Sequence, residues 1–299
     1  MIRITWKEQD ITYFVTLVQV EQTLAAAGRE AHIRAICIPE SDSLSLLNPA
    51  CGDAMTVTVE SEVLFSGTVQ RVEWDSQSGL LTMLCLEPSS LLVCNEVYRA
   101  FSGSAKEITT ILCHLCNLPV GQLWDKPGQC FIPPSCGRSL HAILRQAYGQ
   151  DCVVESRNGA LIVRQTGVKT YTLHSNGMLS LSSSQSCEDV ITAAEVISAT
   201  GDAVATAARP DWEMLYGPRR RVYVQNGSRS QAEAQARDHL AGPAHSAQLV
   251  LQGDPTLACG HHVLTDAAPY GLRERYLIRR VLHQLENGIF TTTIGMVSL

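Results

Sequence analysis

Met55-Thr56-Val57-Thr58-Val59-Glu60 alternates strictly, with Met55, Val57 and Val59 on one side and Thr56, Thr58 and Glu60 on the other. A period of two with threonine facing outward is the pattern of a half-buried strand. The turn Ser61-Glu62 leads into Val63-Leu64-Phe65-Ser66-Gly67-Thr68-Val69. Val72-Glu73-Trp74, a turn over Asp75-Ser76-Gln77-Ser78-Gly79 and a run from Leu80 to Leu86 follow, which makes a meander. Upstream, Ile11–Val20 is β-branched and aromatic, and His32–Ile38 is a second apolar run that Pro39 stops. Short strands at this spacing predict a small closed barrel or sandwich over residues 1–93.

The pattern changes near residue 94. Ser104-Ala105-Lys106-Glu107 has the form of a capping box, and Ile108, Ile111, Leu112 and Leu115 follow at helical spacing. A second helix is predicted over Ser139–Tyr148, with Gly149 as its stop. Cys152–Glu155 and Ala160–Arg164 flank Asn158-Gly159, a strong hairpin signal. Residues 94–166 therefore read as a small α/β module of two helices and a hairpin. Over 167–299 the chain returns to strands, at Val222–Gln225, Ala247–Gln252, Tyr276–Gln284 and Ile289–Val297. One helix is expected at 230–240, and residues 198–210 read as a loop. The fold class is thus mainly β with a smaller α/β part.

With 45% hydrophobic residues the 299-residue chain has material for real cores, which excludes intrinsic disorder. Charged residues make up only 17%, against roughly 25% in ordinary soluble domains. So thin a charge cover hints at surfaces that partners occupy. A net charge of −6 argues against nucleic acid as the main ligand. The first ten residues mix charge with apolar groups and do not read as a signal peptide. No stretch approaches the ~20 apolar residues of a spanning helix, so membrane insertion is not expected. The 11 cysteines are an odd, scattered set, several inside apolar runs, and read as reduced and structural.

Candidate chemistry is sparse. Cys113-His114-Leu115-Cys116 with Cys130 and Cys136 could supply zinc ligands. The first pair, however, lies in a well-patterned helix and the second is widely spaced, which favours buried helix cysteines. His261-His262, with His239 and His245, has no carboxylate or cysteine at ligand spacing and reads as loop histidines. Arg219-Arg220-Arg221 reads as a solvated or interface edge. Asp53, Glu60, Glu62, Glu73 and Asp75 all fall within the meander, where spacing alone identifies no catalytic pair. Nucleophile-elbow, phosphate-loop and H-E-x-x-H patterns are absent. No catalytic residue and no cofactor is expected.

The most specific signal is Gly253-Asp254-Pro255-Thr256-Leu257-Ala258-Cys259-Gly260-His261-His262-Val263, then Tyr276-Leu277-Ile278-Arg279-Arg280-Val281-Leu282-His283, then Gly288-Ile289-Phe290-Thr291-Thr292. This resembles the phage late control D family, baseplate hubs of contractile tails that include PBSX-type prophage hubs. The family pattern is G-[ND]-P-x-L-x-x-G-x-x-V, Y-x-I-x-x-V-x-H and G-x-F-x-T. The chain departs from it at Cys259, where proline is usual, and at His261-His262, where aspartate is common. Leu64-Phe65-Ser66-Gly67-Thr68-Val69 and Ala105-Lys106-Glu107-Ile108 extend the resemblance to the rest of the chain. The resemblance implies two tube-forming β-barrel domains, 1–93 and 167–299, around the 94–166 module. It also implies a homotrimer that joins the hexameric tail tube protein to a trimeric spike protein. Other baseplate proteins and the tape measure would be further partners. The protein would sit in the virion tail baseplate after synthesis in the bacterial host cytoplasm. A tail-associated cell-wall hydrolase with its site in 94–166, and a carbohydrate-binding β-protein, are the competing readings.

Overall fold

The computed structural model describes residues 2–36, 47–174, 177–198, 200–224, 229–265 and 275–299. By its contacts the chain divides into two compact units. The larger combines Met1–Leu181 with Gln248–Val297, and the smaller is Ser182–Ala247.

In the larger unit, the N-terminal strands are β1 (Ile2–Trp6), β2 (Gln9–Asp10), β3 (Val15–Thr23), β4 (Arg29–Ile36), β5 (Ala54–Val59), β6 (Glu62–Asp75) and β7 (Leu80–Leu86). The predicted meander is β5-β6-β7, antiparallel throughout. Its two expected middle runs are one 14-residue strand, β6, carried through by a register shift between Val69 and Arg71. The apolar run from Ile11 is strand only from Val15. The Asp10 carboxylate accepts bonds from the Thr12 amide and hydroxyl at 3.0 and 2.6 Å, and Thr12–Phe14 is a single 3-10 turn. The part of the predicted strand beyond Ile36 lies outside the described residues.

The middle of the chain forms α1 (Leu91–Cys94), β8 (Phe101–Gly103), α2 (Ala105–Leu115), β9 (Val120–Leu123), β10 (Cys130–Ile132), α3 (Leu140–Tyr148), β11 (Cys152–Arg157) and β12 (Ala160–Gln165). α2 begins with the complete Ser104–Glu107 capping box, and Ser139 caps α3 through the Ala142 amide. Asn158 and Gly159 take the positive φ angles, 51° and 77°, that the two-residue β11–β12 hairpin requires. Ile108, Leu112, Ile143 and Leu144 bury the facing stripes of the two helices in one core with Val154, Leu161 and Val163.

Beyond β13 (Thr170–Leu173) and β14 (Met178–Ser186), the smaller unit holds β15 (Ala193–Ile197), β16 (Ala203–Ala208), α4 (Pro210–Tyr216), β17 (Arg220–Val224) and α5 (Arg229–Asp238). The expected loop at 198–210 contains β16, which pairs antiparallel with β15. Alanine has poor strand propensity, but the small Ala205 and Ala207 let the backbone lie close under Ala232 and Ala236 of α5, and tertiary packing decides. The predicted cap at Ser230 falls on side chains outside the described set.

The chain ends with β18 (Ala244–Gln252), β19 (His262–Thr265), β20 (Arg275–Glu286) and β21 (Ile289–Ser298). The larger unit's main sheet runs β18-β21-β20-β3-β4-β7-β6-β5-β1-β2. The C-terminal hairpin therefore continues the N-terminal sheet, with β20 paired to β3 from Arg280–Thr23 to Glu286–Leu17. Leu285 and Phe290 pack on the core built by Ile33, Met55, Val57, Phe65 and Met83.

Candidate functional site

The residues of the sequence signature converge on one loop, 253–261, and the groups beneath it. A side-chain carbon on Gly253 would stand 1.9 Å from the Phe290 ring, so glycine is what lets that ring seat against the turn. Asp254 closes the turn by accepting from the Thr256 amide, and its own amide donates to the Thr292 hydroxyl at 2.9 Å. Gly260 has φ +77°, and a Cβ there would lie 2.3 Å from Val153 of β11. Burial, with Arg29 nearby, holds the His283 imidazole down near a pKa of about 4. Neutral, it donates from Nε2 to the Leu257 carbonyl at 3.2 Å and leaves Nδ1, 3.1 Å away, to the Thr292 hydroxyl. Each of these contacts sets the path of the backbone.

Cys259 explains one departure from the family pattern. Its amide donates to the Gln22 side-chain oxygen at 3.3 Å and its thiol to the Gln22 carbonyl at 3.0 Å. Proline has no N–H to give. Gln22, itself buried, passes its amide nitrogen on to Glu155 at 3.2 Å.

Glu155 lies on β11 with its side chain only 2% exposed. Arg29 reaches it at 3.1 Å, Arg164 at 3.4 Å and Arg157 at 3.6 Å. Burial opposes its ionisation, but Arg29 and Arg164, with Gln22 and Arg157, outweigh that and hold the carboxyl below its usual range. The arginines are bound in turn. Arg29 donates to the Leu64 carbonyl at 2.8 Å, and Arg164 to the Cys259 carbonyl at 2.8 Å. Glu87 takes the Arg29 and Ser156 amides on one oxygen, at 3.1 and 2.9 Å, and burial pushes its pKa up to about 7. Five stretches of chain, at 22–29, 64, 87, 155–164 and 259, are thus fastened at one point.

Above this cluster opens a cleft of about 540 Å³, walled by Glu62–Ser66, the β11–β12 hairpin end and the 253–261 loop. Lys169 and His261 stand at its side. His261 packs against Tyr171 at a tilt of 43° with ring centres 5.3 Å apart, and its buried Nδ1 has no hydrogen-bond partner among the described residues.

The other candidates disperse. Cys113 is buried in α2 and Cys136 is exposed, while the thiols of Cys116 and Cys130 donate to the Leu112 and Gly103 carbonyls. Among the described residues no group of three His, Cys, Asp or Glu is placed to hold a metal ion. His239 stacks on Tyr223. The Arg219 guanidinium binds the Cys187 and Glu188 carbonyls, and Arg220 pairs with Glu195 at 2.6 Å. Asp53 is held down to about 2 by the Lys7 ammonium, the Ala50 amide and the Trp6 indole. Asp75 closes the β6–β7 turn through Gln77 and Ser78, and Glu73 pairs with Arg71. Sequence reasoning missed Glu155, Glu87, Arg29 and Gln22. A signal for Glu155 exists, since it is the one charge in the otherwise apolar run Cys152-Val153-Val154-Glu155.

The same fold occurs in a 43 kDa tail protein of prophage MuSo2 from Shewanella oneidensis, at 15% identity, a TM-score of 0.79, and 99% and 98% coverage of this chain and that one. It occurs in a tail protein of Neisseria meningitidis MC58, at 11% identity, a TM-score of 0.71, and 99% and 96% coverage. It also occurs in the E. coli c3393 protein, a component of the type VI secretion system described as similar to T4 tail proteins gp27 and gp5. There the identity is 9%, the TM-score 0.59, and the coverage 100% and 77%. No curated protein shows a significant sequence match. Residues 35–297 match the YQBQ-like family, nearly the whole chain, and the protein belongs to that family.

Proposed function

We propose that this protein is a structural baseplate hub of a contractile phage-like tail, of the late control D type. A homotrimer would join the hexameric tail tube to the trimeric spike, each chain supplying two similar barrels, 1–93 and 167–299, so that three chains offer six. The observation that carries this reading is the end-to-end correspondence with a prophage tail protein, 99% of one chain on 98% of the other. The chemistry supports it: the buried Glu155 is tied to Arg29, Arg157 and Arg164, and the signature residues set backbone path. A net charge of −6 also suits a collar through which DNA passes without being held. Other baseplate proteins and the tape measure are proposed as further neighbours.

The test is native mass measurement of the full chain, with negative-stain microscopy of the particles. The expected result is a trimer, or a monomer that forms a three-fold ring on adding the spike and tube proteins of the same tail. A stable dimer that joins neither would overturn the reading.

A further inference from the structure

The smaller unit has a sheet that its own helix covers on one face. In the order β16-β15-β17, Val196, Ala205 and Tyr223 meet Ala232 and Ala236 of α5. A period of two puts Glu195, Ile197, Thr206, Val222 and Val224 on the opposite face, where the registers set Glu195 between Thr206 and Val222, and Ile197 beside Val224. Val222 and Val224 are 53% and 65% exposed there. The charges of this face, Glu195 and Arg220, are paired with each other at 2.6 Å. An apolar sheet face is stabilised by another element packed on it.

The same unit has a helix that buries nothing. α4 contains Trp212, Met214, Leu215 and Tyr216, yet none of its residues is buried, and Met214 and Leu215 are 86% and 72% exposed. Within its own chain α4 stays on the α5 side of the sheet. A side-chain carbon on Gly242 would stand 3.1 Å from the Trp212 ring, and Trp212 shares a groove with Arg237 of α5 and with Leu240. Gly217, Pro218 and Arg219 alone join α4 to β17, about 10 Å of chain. The Arg219 guanidinium is moreover tied to the Cys187 and Glu188 carbonyls. So short a tether does not carry the helix round the edge strand to the open face.

We propose that α4 of one copy of this chain packs on the open face of the β16-β15-β17 sheet of the next copy, with Met214 and Leu215 seated on Ile197, Val222 and Val224. The sizes agree, since seven helical residues span about 10 Å and three strands are about 10 Å across. The rims agree in charge, since exposed Glu213 flanks Met214 and exposed Arg221 flanks Val222. A chain that carries both halves of a helix-on-sheet contact, and is barred from closing it on itself, closes it with another copy. The two surfaces are unlike, so the contact runs head to tail and makes a ring where its rotation closes. The inference rests on the hub reading, for which it names the surface that joins the three chains.

The experiment uses the full chain in two double variants, Met214→Asp/Leu215→Asp on the helix and Val222→Asp/Val224→Asp on the sheet. Sedimentation velocity follows each over a concentration series, alone and with the spike and tube proteins of the same tail. All four side chains face solvent, so circular dichroism should show both variants folded like the parent; should one unfold, Met214→Ser or Val224→Ser takes its place. Each variant alone should associate with itself about tenfold or more weakly than the parent does. Mixed in equal amounts, the two should form a one-to-one dimer, because each supplies the half that the other lacks. A trimer that either variant retains at the parent's strength overturns this proposal and leaves the hub reading standing, as does a mixture that stays monomeric. A parent that associates neither with itself nor with tube and spike overturns both. Protection of 222–224 from hydrogen exchange that does not change with concentration would place part of the same chain over the face, which also overturns the proposal.

Discussion

Glu155→Gln tests the buried cluster directly. The substitution keeps the shape and removes the charge on which Arg29 and Arg164 converge, and those side chains are themselves only 16% and 22% exposed. Breaking a fully buried pair from one side costs about 3–5 kcal/mol, since it strands a desolvated charge. Here the arginines keep some solvent and their bonds to the Leu64 and Cys259 carbonyls, so the expected loss is about 2–3 kcal/mol. At about 2–4 °C per kcal/mol for a unit of this size, the Tm falls by about 4–12 °C. The assay is thermal unfolding by circular dichroism at pH 7, with hydrogen exchange at the start of β4 and over 258–261 to place the loosening. In an Arg29→Met background the same substitution should cost clearly less, because one of the stranded charges is already gone. A Tm within about 1 °C of the parent, or an equal loss in both backgrounds, would show that this carboxylate does not fasten the unit.

Further outcomes follow from the same geometry. Gly253→Ala should cost about 1–3 kcal/mol by denaturant unfolding, because the new methyl overlaps Phe290, and Phe290→Leu should restore part of it. Cys259→Ala, which keeps the amide bond to Gln22 and loses only the thiol's, should cost about 1 kcal/mol, and Cys259→Pro more. Glu87 rises on folding from an ordinary 4.5 to about 7, so between those values the folded chain holds a proton the unfolded chain has released; stability falls as pH rises through that window, by about 3 kcal/mol in all, and Glu87→Gln should abolish that slope. His283 goes the other way, from 6.5 to about 4: its contribution is complete above pH 6.5 and is lost as pH falls toward 4, so unfolding titrations of His283→Gln should lose that acid-side slope. Iodoacetamide at pH 8 should label the exposed Cys51, Cys94, Cys136 and Cys187 and spare the buried Cys85, Cys113, Cys152 and Cys259, as read by peptide mass mapping.

What was legible in the sequence was local. Asn158-Gly159 and Asn287-Gly288 set their hairpins through positive φ within two residues, and Ser104 and Ser139 start their helices through amides three residues on. What was not legible depended on partners far along the chain. Nothing near Val281 shows that it lies beside Gln22, and nothing near Cys259 shows that its amide will meet that same glutamine. β16 was misread for the same reason, because its alanines are strand only by virtue of β15 beside them and α5 above them. Glu155 was half legible: a charge in a strand buried on both faces has to find cations, but sequence alone cannot say they come from residues 29 and 164.

The signature residues, read structurally, specify the path of one loop: Gly253 seats Phe290, Asp254 and Thr292 close the turn, Gly260 lies against β11, and His283 holds the Leu257 carbonyl. That path fixes one wall of the cleft, so the residues that set the fold there also shape the cleft. The departures from the pattern fall where they leave the path alone. Cys259 turns inward, to a glutamine whose side-chain oxygen needs the N–H that proline lacks. His261 lines the cleft and packs against Tyr171. The first thus ties the loop to the buried charge cluster, and the second sets an imidazole in the wall of the cleft above it.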